Sequence, residues 1–327
     1  MTHTTSHITE PFNIGAVGLP NRLVQAPMAG VSSRAFRLQA RRFGAGLVTT
    51  EMISSYGVRY RNPRTLAMLE LLEEEHPAAV QLFGARPDVM AEAAKAAEAA
   101  GADIIDINMG CPVRKVVKTG AGVALMADEE LAAGLTAAVA DAVNVPVTVK
   151  LRSGAGNEVT APSLAVRLQE AGAAAVCIHP RLAKQAYKGK ADHSVSLELA
   201  KNLGVPVIAS GDIDSAARAG ELLGGGCAAV MVGRSSLGNP WLFSDLLTGS
   251  DPSRRPLDEV LEEMGHFYED LAAEAGRERA ARQMRKFYGW YLKPFSPGGA
   301  LRDELRRARG FDEAARSIER FAQSIAL

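Results

Sequence analysis

Short apolar runs rich in Val, Ile and Ala alternate with longer Ala- and Leu-rich stretches from about residue 22 to residue 247. The longer stretches have a helical period, since Ala91, Ala94, Ala97 and Ala100 recur every three residues between charged positions. The short runs predict eight strands, at Leu23–Ala26, Leu47–Glu51, Ala79–Phe83, Asp103–Asn108, Val145–Leu151, Ala175–His179, Val205–Ser210 and Ala228–Gly233. The pattern indicates repeated strand–helix units.

These strands are apolar along their whole length, as strands buried on both faces are. Eight strand–helix units fit an α/β fold of the (β/α)8 or TIM-barrel type, which typically needs about 250 residues. A doubly wound open sheet is the alternative, but it would carry a Gly-x-Gly-x-x-Gly turn after its first strand, and none is present. We therefore predict a flexible N-terminus at 1–11 and a TIM barrel at 12–247.

The pattern changes after residue 247. Residues 248–256 are turn formers and predict a linker, and residues 257–327 predict a small helical domain interrupted near Pro294–Gly299. Residues 258–274 hold seven acidic side chains and no Lys or Arg, whereas residues 276–310 hold ten Lys or Arg and three acidic residues. A solvated helix surface would explain such a run, but a local positive excess in a neutral protein favours a polyanionic partner.

Composition narrows the class of protein. The 37 basic and 37 acidic residues cancel, which excludes a uniformly basic surface. No apolar run approaches the roughly 20 residues of a membrane span, and the first residues lack the features of a signal peptide. The three cysteines form no CxxC pair and the six histidines have no zinc-ligand spacing. We expect a cytoplasmic protein, monomeric, with no metal and no membrane partner.

Candidate chemistry lies where the predicted strands end, because TIM-barrel active sites are built at that rim. Almost every strand delivers a polar or conformationally special residue there. The set comprises Pro27, Met28, Ala29, Gln81, Asn108, Cys111, Lys150, Arg152, His179, Arg181, Ser210, Gly211, Asp212, Gly233 and Arg234. This convergence is the strongest functional signal that the residues give by themselves.

The three cysteines have different contexts. Cys177 and Cys227 lie in apolar surroundings and are expected to be core residues. Cys111 follows a strand end in a loop, where a thiol can meet a ligand. Lys150 closes an apolar strand and is expected to meet an acceptor at the rim, while His179 is equally compatible with a hydrogen-bonded core position.

Glycines mark a candidate phosphate site. Gly211 and Gly233 follow the last two predicted strands, the usual phosphate position of this fold. Their backbone N–H groups, with Arg234 beside them, can hold a cofactor phosphate. The run Gly224–Gly226 precedes a strand instead, so we interpret it as a helix-to-strand turn at the opposite face.

Taken in order along the chain, these motifs resemble the tRNA-dihydrouridine synthases, most closely their bacterial B-type branch. The most specific match is Asp106-Ile-Asn-Met-Gly-Cys-Pro-Val-Arg-Lys-Val116 followed by Thr119-Gly-Ala-Gly122. The stretch from His179 to Asp192 is similar to the family's His-x-Arg…Gln-x-Tyr-x-Gly-x-Ala-Asp motif, and Arg285–Lys293 resembles the start of its tRNA-binding helical domain.

The resemblance implies an FMN enzyme that uses NADPH to reduce the C5–C6 double bond of selected uridines in the D-loop of tRNA. Cys111 would be the proton donor, which suits the chemistry of a thiol. The flavin would contact Pro27, Met28, Ala29, Gln81, Asn108, Lys150, His179, Ser210, Gly211, Asp212, Gly233 and Arg234. The tRNA would contact Arg114, Lys115, Arg152, Arg181, Lys184, Arg282, Lys286, Arg302 and Arg306.

The chain departs from the family pattern at two positions, with Ser210 where Asn is usual and Pro180 after the histidine. Three other functions remain open at this point. A flavin barrel reductase of a small molecule, such as a dihydroorotate-type enzyme, explains Lys150 but not the basic helices. An RNA-binding protein on an inactive barrel would have lost Cys111 or Lys150. A Schiff-base aldolase would need neither Gln81 nor Arg234.

Overall fold

Eight parallel strands close into a barrel in the computed structural model, which describes residues 7–250 and 255–325. The strands of the described residues are β1 (Phe12–Ile14), β2 (Val17–Leu19), β3 (Leu23–Gln25), β4 (Val48–Thr49), β5 (Ile53–Ser54), β6 (Ala78–Phe83), β7 (Ile104–Met109), β8 (Val147–Gly154), β9 (Ala175–Leu182), β10 (Val207–Ser210) and β11 (Ala229–Val232). The sheet order is β3-β11-β10-β9-β8-β7-β6-β4, with β5 also on β6, and a bridge between Val24 and Leu47 joins the two ends. The predicted barrel is confirmed, and the open-sheet alternative is wrong.

An N-terminal hairpin, which the sequence pattern did not predict, covers the amino-terminal end of the barrel. Strands β1 and β2 pair antiparallel around Gly15, whose φ of +55° favours glycine. Ile14 and Leu19 are buried in one cluster with the first residues of β7 and β9. Of the stretch 1–11 expected to be flexible, residues 1–6 lie outside the described part, while Ile8 is buried and accepts a hydrogen bond from the backbone of Arg22.

Helices follow the strands and cover the outside of the barrel. They are α1 (Arg34–Arg42), α2 (Ser55–Arg59), α3 (Pro63–Ala67), α4 (Pro87–Ala99), α5 (Arg114–Val117), α6 (Glu129–Ala140), α7 (Ala161–Glu170), α8 (Ser194–Asn202), α9 (Ala216–Gly224) and α10 (Leu242–Thr248). The helix predicted from the alanine period is α4, whose Ala93, Ala94 and Ala97 are buried against the barrel. The short helices α2, α3 and α5 lie after strand ends, at the rim where the site residues are expected.

The C-terminal region is helical, as predicted. It comprises α11 (Leu257–Ala275), α12 (Arg277–Tyr291), α13 (Gly299–Arg307) and α14 (Phe311–Ile325). The expected interruption is a 3-10 turn at Lys293–Phe295 before α13 begins. Of the predicted linker 248–256, residues 251–254 lie outside the described residues.

The helical domain shares its hydrophobic core with the barrel helix α1. Phe36 of α1 is buried in one cluster with Phe267 of α11 and Phe287 of α12. Gly238, in the loop after β11, approaches α12 so closely that a Cβ would overlap the backbone nitrogen of Tyr291, and its φ is +66°. The two parts are therefore packed as one body.

Acidic residues of α11 contact the barrel helix α1. Glu263 accepts hydrogen bonds from Gln39 and Arg42 of α1, and Asp270 pairs with the same arginine. Glu274 accepts a hydrogen bond from the first turn of α1. The charge segregation seen in the sequence thus places acidic groups against the barrel and leaves most of the basic groups of the later helices at the surface.

Candidate active site

A cavity of about 310 Å³ opens at the carboxyl ends of β3 and β8–β11. This volume lies within the usual range of small-molecule sites. All of the predicted cofactor residues except Ala29, Gln81 and Asn108 line it. The loop from β3 that forms one wall is fixed by Ser32, whose hydroxyl accepts from the backbone N–H of Met28 and donates to the carbonyl of Ala26.

Four cations lie near the buried His179, and two of them, Lys150 and Arg234, line the cavity. Burial is the main reason that the pKa of His179 is lowered from 6.5 to about 2, and the charges of Lys150, Arg152, Arg181 and Arg234 lower it further. His179 is therefore neutral at any ordinary pH. A site with this excess of positive charge favours an anionic ligand.

The tautomer of His179 follows from its neighbour. Nη1 of Arg181 lies 3.1 Å from Nε2 of His179. Because a guanidinium can only donate, Nε2 must accept, so the proton of the neutral ring is on Nδ1. The ring thus keeps one N–H donor for another partner.

Lys150 has no partner of its own. Its side chain is half-buried at the cavity wall, and its ammonium forms no hydrogen bond or ion pair with the described residues. A desolvated ammonium without an acceptor is costly, so this position fits a lysine that meets a bound ligand.

Arg181, which was expected to contact tRNA, is buried. It is 2% exposed and donates to the carboxylate of Asp212 and to the carbonyls of Lys188 and Gly189. The charge of Arg181 and a hydrogen bond from the backbone of Ala191 hold the pKa of Asp212 below its usual range against partial burial. Arg181 and Asp212 together tie the loop 183–192 to the cavity wall, so this carboxylate is not free to meet a ligand.

The turn after β10 has the backbone form that an anion site needs. Gly211 has a φ of +106° and Asp212 a φ of +53°. His193, a residue not singled out from the sequence, donates from Nε2 to the carbonyl of Gly211 at 2.8 Å, so this carbonyl already has a partner. A Cβ on Gly211 would lie 2.7 Å from Cδ2 of His179, so only glycine leaves this space open.

Tyr187, which was not among the predicted site residues, is an aromatic side chain that lines the cavity. It is 55% exposed, and the guanidinium carbon of Arg234 lies 4.4 Å from its ring centroid. The ring also stacks on His179 at a centroid distance of 6.2 Å. The sequence does contain a feature that could have pointed to Tyr187 as a site residue: it is an aromatic residue flanked by Lys184, Lys188 and Lys190.

Arg152 joins two loops rather than facing solvent. It is 3% exposed, and it donates to the carbonyl of Gly110 at 2.9 Å and to that of Ala186 at 2.8 Å. Burial lowers its pKa. Arg152, for which a contact with tRNA was expected, thus links the Cys111 loop to the Tyr187 loop.

Cys111 is the accessible thiol of the three. It is half-buried, whereas Cys177 and Cys227 are buried. Burial raises the pKa of Cys177 to about 12 and that of Cys227 to about 11, so both stay protonated, as core residues do. The prediction that these two cysteines belong to the core is confirmed.

A chain of buried polar groups supports the Cys111 loop from beneath. Oδ1 of Asn108 accepts from the backbone N–H of Cys111 at 3.0 Å, and its amide donates to Oε1 of Gln81 at 2.8 Å. Nε2 of Gln81 donates in turn to Asp106 at 2.7 Å, and Thr148 donates to the same carboxylate at 2.6 Å. Gln81 and Asn108 thus engage each other, which leaves each amide only part of its hydrogen-bonding capacity for a ligand.

Asp106 is the unexpected member of this chain. It is buried, and burial raises its pKa from 3.8 to about 6 against the opposing hydrogen bonds and the charge of Lys150. The sequence shows that Asp106 is an acidic residue inside a predicted apolar strand. It does not show that Gln81 of β6 and Thr148 of β8 bind this carboxylate.

A model of the dihydrouridine synthase family matches residues 24–326. The chain belongs to the dihydrouridine synthase family. It is 39% identical over 319 residues to tRNA-dihydrouridine synthase B of Pseudomonas aeruginosa, covering 94% of this chain and 95% of that one. A probable tRNA-dihydrouridine synthase of Rhizobium leguminosarum is 42% identical over 279 residues, covering 85% and 87%.

Solved structures agree on the barrel fold of this family member. Morphinone reductase superposes with a TM-score of 0.58 at 16% identity, over 77% of this chain and 92% of that one. A histamine dehydrogenase from Rhizobium superposes with a TM-score of 0.62 at 12% identity, over 98% and 65%. At these identities the likeness shows the fold alone.

The remaining predicted RNA residues of this dihydrouridine synthase family member lie at its surface. Arg114 and Lys115 are exposed on α5, directly after the Cys111 loop. Lys184 is also exposed, and its ammonium donates to Asn157. Arg114 and Lys115 thus follow the Cys111 loop, and Lys184 lies three residues before Tyr187 of the cavity lining.

The basic residues of the helical domain differ in their partners. Arg282 pairs with Glu278 and Arg306 pairs with Asp303, each on its own helix, while Arg302 is exposed. The ammonium of Lys286 donates to the carbonyl of Gly30 in the barrel, so this lysine contributes to domain docking. Such exposed intrahelical pairs hold their charges weakly and remain available to phosphates.

The described residues contain neither a candidate metal cluster nor a helix suited to a membrane. In residues 7–250 and 255–325, no three or more His, Cys, Asp or Glu side chains are placed to hold a metal ion. No helix of the same part of the chain is long and apolar enough to span a membrane.

Proposed function

We propose that this protein is an FMN-dependent tRNA-dihydrouridine synthase, a cytoplasmic monomer that uses NADPH to reduce the C5–C6 double bond of D-loop uridines. The observation that carries the proposal is the meeting, at one barrel rim, of an unpartnered Lys150, a neutral His179 and the accessible thiol of Cys111. Membership of the dihydrouridine synthase family supports it. The names of the relatives supply the substrate class, tRNA.

The residues present fit FMN. The open turn at Gly211, the glycine after β11 at Gly233 and the guanidinium of Arg234 suit a phosphate, since backbone N–H groups in such turns bind anions. Pro27 and Met28 provide an apolar wall for a flat ring. Lys150 would place its charge and N–H donors against the electron-rich side of that ring.

When bound, FMN reduced by NADPH supplies the hydride for C6 of the uracil. Cys111 then donates the proton of its thiol to C5, and the thiolate regains a proton from solvent. Asn108 and Arg152 hold the Cys111 loop in place through the backbone of Cys111 and Gly110. His179 offers its Nδ1–H to a carbonyl oxygen, and its neutrality prevents it from competing as an acid.

The uridine must leave the base stack to reach a cavity at a barrel rim. The exposed Arg114, Lys115 and Lys184, and Arg302 and its neighbours on the helical domain, provide positive charge for the phosphates of a folded RNA. The helical domain 257–327 is therefore proposed as the tRNA-binding domain.

The test uses the purified protein. Acid release and mass spectrometry should identify FMN, and the oxidised protein should be reduced by NADPH. With tRNA from a strain that lacks dihydrouridine synthases, digestion and mass spectrometry should find new dihydrouridine in the D-loop. A protein that binds no flavin, or that turns over NADPH without forming dihydrouridine, would overturn the proposal. A reductase of dihydroorotate type would respond to the small molecule and not to RNA.

A further inference from the structure

Two tyrosines are stacked on the surface at the rim of the barrel. Tyr56 and Tyr60 lie on and directly after α2, with ring centroids 6.0 Å apart and planes 19° from parallel. Tyr56 is 37% exposed and Tyr60 is 76% exposed, so the outer ring has a free face. Neither tyrosine belongs to the cavity described above. An exposed, stacked aromatic pair is an unusual feature for a surface without a partner.

Two unpaired guanidiniums follow the tyrosines in the chain. Arg59 is neutralised by Asp88 and Glu92. Arg61 and Arg64, by contrast, are exposed and form no ion pair with the described residues. The surface formed by Tyr56, Tyr60, Arg61 and Arg64, here called the α2–α3 surface, thus combines a free aromatic face with uncompensated positive charge.

A cleft leads from this surface to the helical domain. It has a volume of about 300 Å³ and is lined by Arg64 on one side and by Arg279 of α12 on the other. Arg279 also forms no ion pair with any residue that the structure describes. Of the carboxylates that line the cleft, the exposed Glu70 pairs with Arg34, and Glu51 accepts from the backbone of Gly30. Glu274 accepts from the backbone of α1. Each wall of the cleft therefore carries an arginine without an ion pair, and the carboxylates of Glu51 and Glu274 in the same cleft are bound by backbone N–H groups.

We propose that the α2–α3 surface is a docking site for RNA, in which an unpaired base stacks on Tyr60 and its flanking phosphates meet Arg61 and Arg64. The strand then continues along the cleft to Arg279. Base stacking on an aromatic side chain beside a cationic groove is the common way in which proteins hold unpaired nucleotides. The inference rests on the proposed function, and it adds a point of attachment outside the flavin cavity that meets the predicted basic region of the helical domain at Arg279.

The experiment measures tRNA affinity of the flavin-loaded full-length protein as a function of salt. Tyr60→Leu should weaken binding by about 5- to 150-fold, the effect of removing one base–aromatic stack. Tyr60→Phe should restore affinity to near that of the unchanged protein, because the ring is kept. Neither tyrosine variant should alter the dependence on salt.

The charge variant separates the two contributions. Arg61→Gln with Arg64→Gln should lower the slope of log affinity against log salt by about 1.4–1.8, since each phosphate contact contributes about 0.7–0.9. The control removes the same charge elsewhere: Lys95→Gln on α4 with Lys201→Gln on α8, both exposed on the outside of the barrel. Circular dichroism and flavin content verify folding of every variant.

The outcomes separate this inference from the proposed function. If the unchanged protein binds tRNA and forms dihydrouridine but Tyr60→Leu binds equally well, the inference is wrong and the proposed function stands; the surface would then be open to a protein partner. Equal losses in the arginine pair and the lysine control would likewise overturn it. If the unchanged protein binds no tRNA, the proposed function itself fails.

Discussion

Replacing Asp106 by Asn should change how the stability of the protein depends on pH. The substitution keeps the shape of the side chain and its hydrogen bonds, because Oδ1 can accept from Gln81 while the new amide donates to the hydroxyl of Thr148. What it removes is a carboxyl group whose pKa is raised by burial from 3.8 to about 6.

The sign follows from proton binding. Between pH 4 and pH 6 the folded state keeps the proton of Asp106 while the unfolded chain has lost it, so Asp106 makes stability fall as pH rises, by about 1.4 kcal/mol per unit. His179 acts in the opposite sense over the same range, because its pKa is lowered from 6.5 to about 2 and only the unfolded chain binds the proton. The two contributions nearly cancel in the unchanged protein.

In Asp106→Asn the contribution of His179 is no longer offset. The free energy of unfolding, variant minus unchanged protein, should rise by about 3 kcal/mol from pH 4 to pH 6 and stay level above that, since a shift of about two pKa units corresponds to about 3 kcal/mol.

Urea unfolding followed by far-ultraviolet circular dichroism at half-unit pH steps measures this difference. Asp141→Asn, at an exposed aspartate at the end of α6, is the control and should not show the rise. A flat difference between pH 4 and pH 6 would refute the reasoning that burial beneath the Cys111 loop keeps Asp106 protonated in the folded state over this range.

Three further changes test the site and the packing. Cys111→Ala should keep flavin and NADPH oxidation while dihydrouridine formation, measured by mass spectrometry, falls by about 10²–10⁴-fold; an unaffected rate would remove the thiol from the reaction. Arg181→Met should make the loop 183–192 at least about tenfold more sensitive to limited proteolysis, because each hydrogen bond to a charged group contributes about 1.5–3 kcal/mol. The control is Arg218→Met, which removes an exposed ion pair with Glu221. Gly238→Ala should lower stability by about 2–4 kcal/mol in thermal unfolding, whereas Gly289→Ala, which has open space around it on α12, should be neutral or slightly stabilising.

The barrel was predictable because its strands are buried on both faces and stand out as continuous apolar runs. The predicted strand Leu47–Glu51 is shorter in the structure. Two short strands, β4 and β5, each pair with a different part of β6. The hairpin β1–β2 was missed because its strands are only three residues long and carry little pattern. Tertiary packing, not local propensity, holds such short strands in place.

The location of the site could be predicted from the sequence, but the hydrogen bonds and ion pairs among its residues could not. Lys150 and His179 lie on neighbouring parallel strands of the barrel. Both residues therefore lie towards the same rim in any structure with this fold. Sequence does not say which charges neutralise each other, and the tRNA contacts of Arg152 and Arg181 were expected from the resemblance to the family alone. Their burial depends on carbonyl groups of loops whose conformation only the folded chain sets.

The helix α1 belongs to two hydrophobic cores at once, since it covers the barrel and packs under α11 and α12. Rotation of the helical domain against the barrel would have to expose Phe36 and break the pairs of Arg42 with Glu263 and Asp270. The basic helices and the mouth of the cavity are therefore held at a set distance and angle before any RNA arrives. Preorganisation of this kind lowers the entropic cost of binding a large ligand, and it makes the shape of the RNA, rather than adjustment of the protein, decide which nucleotide reaches Cys111.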